Sequence, residues 1–135
     1  MKKVIGMCDG VFDLMHFGHI KLLNSCREDC DLLIVAVADD KFARCKGANR
    51  PYISQENRLF SIKSLSCVDL AFLCDGSVDI VNQIMPDIYF KGGEYKTDPK
   101  LDKRIIIRRM EIHPVRTTQL VEMIRGKIVR GEGEE

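Results

Sequence analysis

Asp31 to Ala38, DLLIVAVA, is the run that most narrows the folds open to this chain. Apart from Asp31 it is wholly apolar, and Asp39-Asp40 end it. A strand that is apolar at every position is buried on both faces, which is the condition of a central strand in a parallel sheet. Parallel strands need crossover connections, and the flanking sequence carries the pattern for helices. Residues 3–8 read as a first buried strand and 17–28 as a helix, with Ile20, Leu22, Leu23 and Cys26 on its apolar face. Ser54 is placed to N-cap a helix running to about Leu65, with Glu56 in its first turn. Val68 to Cys74 reads as a third strand. Ser77 is placed to cap a short helix to Met85, stopped by Pro86. Asp87 to Phe90 reads as a fourth strand, 104–112 as a last strand and 117–129 as a last helix. The polar stretch between, with Lys46-Gly47 and Arg50-Pro51, reads as loop.

This alternation predicts an α/β fold, a Rossmann-like parallel sheet with helices on both faces. Ligands of such sheets bind beyond the carboxyl ends of the strands, at the switch point. A strand order of 3-2-1-4-5 sets the first and fourth strands side by side there. The 135 residues suffice for one domain, residues 1–130, and are too few for two. Residues 131–135, Gly-Glu-Gly-Glu-Glu, read as a disordered tail.

A net charge of +1 gives no reason to expect a nucleic-acid partner. No apolar run reaches membrane-spanning length, so no membrane partner is expected either. Met1-Lys2-Lys3 leads straight into the first strand without a signal-peptide pattern, and a cytoplasmic location is the expectation. Cys8, Cys26, Cys30, Cys45, Cys67 and Cys74 then read as reduced thiols, mostly in or near the core. Cys26 and Cys30 share a helix face, but no CxxC pair completes a four-ligand set, so no protein-held metal is expected.

The chemistry concentrates between the first strand and first helix, in Gly10 to His19, GVFDLMHFGH. Only three histidines occur in the chain, and His16 and His19 fall in one turn. Residues three apart on a helix share a face, beside the free N–H groups and positive dipole of the N-terminus. That is a phosphate site, and Gly18 would let a phosphate approach the backbone closely. Imidazole N–H groups placed there can stabilise charge as it builds on a phosphoryl group.

These residues resemble the signature of the cytidylyltransferase-like nucleotidyltransferases, G-x-F-D-x-x-H-x-G-H. Val115, Thr117 and Thr118 are similar to that family's second signature, I-S-T-T, with Arg116 in place of serine. Two threonines opening a helix also serve as plain N-caps. Lys46 in K-G-x-x-R-P matches the loop that presents a lysine to phosphate, and Glu56-Asn57-Arg58 matches the family's E-x-R. Lys91-Gly92-Gly93-Glu94-Tyr95 resembles the K-G-G-D-Y stretch of heptose-1-phosphate adenylyltransferase domains.

The resemblance implies an enzyme that joins a nucleoside triphosphate to a small phosphorylated substrate and releases pyrophosphate, aligned rather than attacked by the protein. It implies catalytic roles for His16, His19 and Lys46. It implies nucleotide binding by Gly10, Phe12, Asp13, Gly18, Arg58, Arg116, Thr117 and Thr118, and acceptor binding by Lys91, Gly92, Gly93 and Glu94. Mg²⁺ would come with the triphosphate, and a homodimer is common in the family. The K-G-G-E-Y stretch favours ATP and a sugar 1-phosphate. The order Pro114-Val115-x-Thr-Thr resembles CTP-dependent enzymes of phosphoethanolamine, and glycerol 3-phosphate is a further acceptor. A non-catalytic nucleotide sensor on the same fold is the reading from another class, with Arg116 in its favour.

Overall fold

A computed structural model of the chain describes residues 2–47 and 49–129. The expected tail 131–135 lies outside the described residues. Five parallel strands form one sheet in the order β3-β2-β1-β4-β5: β1 (Ile5–Gly10), β2 (Leu32–Ala38), β3 (Leu70–Cys74), β4 (Ile88–Gly92) and β5 (Ile106–Met110). The interior strand β2 is buried along almost its whole length, as its apolar sequence requires. Its side chains alternate between two cores. Leu33, Val35 and Val37 join Leu23 and Cys26 of helix α1 (Phe17–Glu28) and Ile62 of helix α3 (Gln55–Lys63). Ile34 and Ala36 join Val81 of helix α4 (Asp79–Ile84), with Leu101 and Ile105. The sheet is therefore covered on both faces. The α/β Rossmann-like expectation and its strand order are both borne out.

Local chemistry explains the boundaries. Ser54 caps α3 by accepting from the Asn57 N–H at 3.3 Å. Asp69 accepts from the Leu33 N–H at 2.8 Å and pairs with Arg27 at 3.0 Å, so it ties β2 to the approach to β3. The stretch after β2 is not all loop. Asp39 accepts from the Phe42 N–H at 2.8 Å and so caps a short helix, α2 (Asp40–Ala43), followed by a 3₁₀ turn, Arg44–Lys46. Ser77 accepts from the Asp79 N–H at 3.3 Å, although the N-cap position itself is Val78. The final helix, α5 (Thr117–Val129), begins beside the HxGH turn. All six cysteines are free thiols.

Candidate active site

β1 runs into a turn whose backbone is strained at two non-glycine residues: Phe12 has φ 54° and Leu14 φ 48°. L-residues in this left-handed region cost about 1 kcal/mol or more each, so the surroundings must fix the turn. Asp13, between them, does so. Its carboxylate is fully buried and accepts from the Tyr52 N–H at 2.9 Å, the Ile53 N–H at 3.0 Å and the Arg50 Nε–H at 2.8 Å. Its own carbonyl accepts from the Thr117 hydroxyl at 3.0 Å. Burial raises the Asp13 pKa, but the Tyr52 and Ile53 amides and Arg50 outweigh it and hold the group below its ordinary value. One carboxylate thus joins the turn, the 50–53 segment and, through the main chain, the start of α5.

The turn delivers two histidines that cap α1 reciprocally. The His16 Nδ1 accepts from the Gly18 N–H at 3.0 Å, and the His19 Nδ1 accepts from the His16 N–H at 3.1 Å. This is a capping box built from imidazoles instead of Ser and Glu. Because each Nδ1 is an acceptor, each ring is neutral with its proton on Nε2. Burial lowers the pKa of His16, helped by nearby His113. Burial, then the neighbouring His16, brings His19 down to about 4. The ring centroids lie 4.0 Å apart. The His16 Nε2 is buried and has no partner among the described residues. Near neutral pH, the pair is a set of two neutral donors, positioned by the main chain.

Gly18 does not open its backbone to phosphate as expected. A side chain there would meet the His16 ring at 2.8 Å, so the missing Cβ makes room for that ring, and the Gly18 N–H is already used by it. Gly10 similarly lies against the Phe12 ring, at 3.0 Å from where its Cβ would stand. Phe12 is buried, with its ring edge-on to His19 at 5.7 Å.

His16, Gly18, His19, Gly10, Phe12, Asp13, Arg50, Arg116, Thr117 and Thr118 all line one cavity of about 340 Å³. Sequence reasoning singled out neither Arg50 nor His113 as a member. His113 is half-buried in this wall, accepts from the Val115 N–H at 3.1 Å and meets Phe17 edge to face at 4.8 Å.

Arg58 is a correction. Its side chain is fully buried, and it donates to the carbonyls of Ile53, Val11 and Ala38 and to Asp40 at 2.7–2.9 Å. It staples the ends of β1 and β2 to α3 and does not line the cavity. Lys46 ends the 3₁₀ turn, and its side chain lies outside the described residues.

A second cavity, about 620 Å³, shares Asp9, Gly10 and Val11 with the first. Lys91 reaches it from the end of β4 and pairs with Asp9 at 2.8 Å. The Tyr89 hydroxyl donates to the same carboxylate. Burial, then the Asp9 charge, raises the Tyr89 pKa far above the ordinary phenol value, so it stays a donor. Lys91 lies 5.0 Å from the Tyr89 ring centroid and 4.6 Å from that of Tyr95. Of the expected acceptor stretch, only Lys91 and Tyr95 line this cavity. A Cβ at Gly92 would meet only the free end of the exposed Ile112 side chain, at 2.5 Å, and Gly93 and Glu94 lie outside both cavities. Asp9 and Tyr89 escaped the sequence reading. A carboxylate ending an otherwise apolar strand was the available signal.

Comparisons with known proteins bear on these cavities. A model of the cytidylyltransferase-like family matches residues 7–130. The bifunctional protein HldE of Syntrophotalea carbinolica is 32% identical over 139 residues, covering 96% of this chain and 28% of that protein. HldE of Haemophilus influenzae (strain PittGG) is 41% identical over 97 residues, covering 70% of this chain and 20% of that protein. The chain therefore spans about a quarter of the length of these curated relatives. The crystal structure of the lipopolysaccharide core biosynthesis protein from Thermoplasma volcanium GSS1 superposes with a TM-score of 0.74 at 31% identity, over 83% of this chain and 99% of that one.

Proposed function

Since this chain belongs to the cytidylyltransferase-like family and is a nucleotidyltransferase, we propose that it joins ATP to a sugar 1-phosphate and releases pyrophosphate. The reciprocal His16–His19 cap carries this reading. It leaves two neutral Nε2–H donors on one helix start, one of them buried and without a partner among the described residues, in a cavity that also holds two arginines. The triphosphate occupies this cavity and the acceptor the adjoining one, so that the acceptor phosphate meets the α-phosphorus over the shared Gly10–Val11 wall. An acceptor phosphate oxygen attacks, pyrophosphate leaves, and His16 and His19 donate to the oxygens on which charge grows.

Lys91 supports the sugar phosphate over a cationic acceptor. Tyr89 and Tyr95, the aromatic pair that could cage an ammonium, already hold the lysine of the chain itself. Mg²⁺ is proposed as the companion of the triphosphate, where it neutralises phosphate charge. Asp9 and Asp13, the carboxylates of the cavity wall, are both committed to protein partners, which fits an ion carried by the nucleotide. A homodimer is proposed on the family resemblance; Met123, Ile124 and Ile128 of α5 are exposed and offer an apolar face to a second copy. Among the described residues no helix is long and apolar enough to cross a membrane, and a cytoplasmic location is part of the proposal.

The test is pyrophosphate release from paired panels of triphosphates and phosphorylated acceptors. ATP with a sugar 1-phosphate should turn over best. Turnover confined to CTP with glycerol 3-phosphate or phosphoethanolamine would overturn the substrate assignment, and no turnover with any pair would leave the non-catalytic nucleotide module.

A further inference from the structure

We propose that Arg50 is a catalytic residue, whose guanidinium grips the triphosphate opposite the histidine pair, and that Asp13 is its positioning residue. The proposal rests on the nucleotidyltransferase reading above and concerns a residue outside both family signatures.

The need for such a group follows from charge. Capping makes both imidazoles neutral, so they supply hydrogen bonds and no net positive charge. Among the described residues that line the cavity, full positive charges come only from Arg50 and Arg116. Arg116 is exposed at the start of α5. The Arg50 side chain is only 13% exposed and is held along three directions. Its Nε–H bonds Asp13 at 2.8 Å, its Nη1 reaches the Thr118 hydroxyl at a long 3.4 Å, and its guanidinium stands 5.4 Å from the Tyr52 ring centroid. Its Nη2 has no hydrogen-bond partner among the described residues. An arginine anchored through Nε presents its Nη groups as a fork, which matches two phosphate oxygens. Asp13 is bonded to main-chain amides on the same segment, so the fork costs little reorganisation when the ligand arrives. The weak Thr118 contact is the one a phosphate oxygen would take over. Arg58, the arginine that the family resemblance favoured, has no N–H directed to this cavity.

The test compares wild type with Arg50→Ala and Arg50→Lys in binding and turnover. Wild-type binding and pyrophosphate release come first: a chain that neither binds a triphosphate nor turns over removes the underlying reading, and this proposal with it. With wild type active, affinity is measured for a nucleoside and its mono-, di- and triphosphate. Arg50→Ala should leave the nucleoside unchanged and weaken binding progressively along the series. Turnover should fall by on the order of 100-fold. Arg50→Lys should restore charge but not the fork, and so recover only part of it. Millimolar guanidinium should rescue Arg50→Ala and not Arg50→Lys. A purely structural arginine would weaken all four ligands alike and resist rescue, and either result would overturn the proposal. If Arg50→Ala fails to fold, Arg50→Lys decides: unchanged turnover and an unchanged ligand series would refute the fork.

Discussion

Asp9 and Asp13 both leave the end of β1, and each organises one cavity. Asp13 is wholly buried and bonds main-chain N–H groups as well as Arg50. Asp9 is about one-fifth exposed, and among the described residues its carboxylate bonds only side chains, those of Lys91 and Tyr89. A carboxylate that satisfies main-chain donors fixes where the chain goes, and the neighbouring histidines inherit that fixed geometry. A carboxylate that pairs with side chains orients those side chains and leaves the backbone to the strands. The first cavity, proposed for the nucleotide, is thus built into the fold, and the second, proposed for the acceptor, is tuned on top of it. On that proposal, acceptor choice can change in the second cavity without disturbing the chemistry of the first.

The largest effect should separate the two aspartates. Asp13→Ala strands two amides, a guanidinium and a strained turn, and should cost about 3 to 5 kcal/mol of stability, the range for breaking a buried pair. Asp9→Asn keeps an acceptor for Tyr89 and should cost only about 1 kcal/mol, the worth of a hydrogen bond. Urea unfolding of both variants measures this; equal losses would erase the distinction.

Next come the histidines. His16→Ala and His19→Ala should each lower turnover by about 2 to 4 kcal/mol of barrier, by analogy with lost oxyanion donors, and weaken triphosphate binding far less. Equal losses in both would mean that the pair holds only the ground state. His19→Gln sharpens the point, because glutamine at this position keeps the capping acceptor and cannot titrate. The folded chain keeps His19 neutral down to about pH 4, whereas an unfolded chain takes the proton near 6.5. Between those values the unfolded state binds more protons, so wild-type stability should fall as pH drops from about 6.5 to 4. The His19→Gln chain should show a shallower fall over that window, and parallel curves would place the pH sensitivity elsewhere.

The same contrast explains what the sequence could and could not reveal. The strands and the histidine pair were legible, because hydrophobic runs and a three-residue spacing are local signals. Arg58 was misassigned although its helix was placed correctly. Its spacing from Glu56 is local, but two of the carbonyls that absorb it belong to Val11 and Ala38, brought in by the sheet. Arg50 and Asp9 were missed for the same reason. Arg50 meets Asp13 across 37 positions, and Lys91 meets Asp9 across 82. Partners that distant become neighbours only once the strand order is known. Gly18 shows a subtler limit: the glycine was noticed, but whether its space went to phosphate or to a ring depended on the rotamer of His16.

The smallest effect falls on Glu94, and it tests whether the acceptor cavity is tuned by side chains at the strand ends or by the glycine turn beyond them. The sequence favours the turn, since Glu94 could accept hydrogen bonds from sugar hydroxyls. The geometry favours the strand end. Glu94 is exposed and outside both cavities, whereas Lys91 stands in the wall, paired with Asp9 and flanked by two tyrosine rings. Lys91→Met keeps most of the aliphatic stem and removes the charge. It should raise the acceptor KM about tenfold, the scale of one hydrogen bond to a charged group, and leave the triphosphate KM nearly unchanged. Glu94→Ala should change either KM less than about twofold, as surface substitutions away from a site do. The reverse ranking would mean that the turn folds over the acceptor once it binds, and the second cavity would then owe its selectivity to loop closure instead of to Asp9 and its partners.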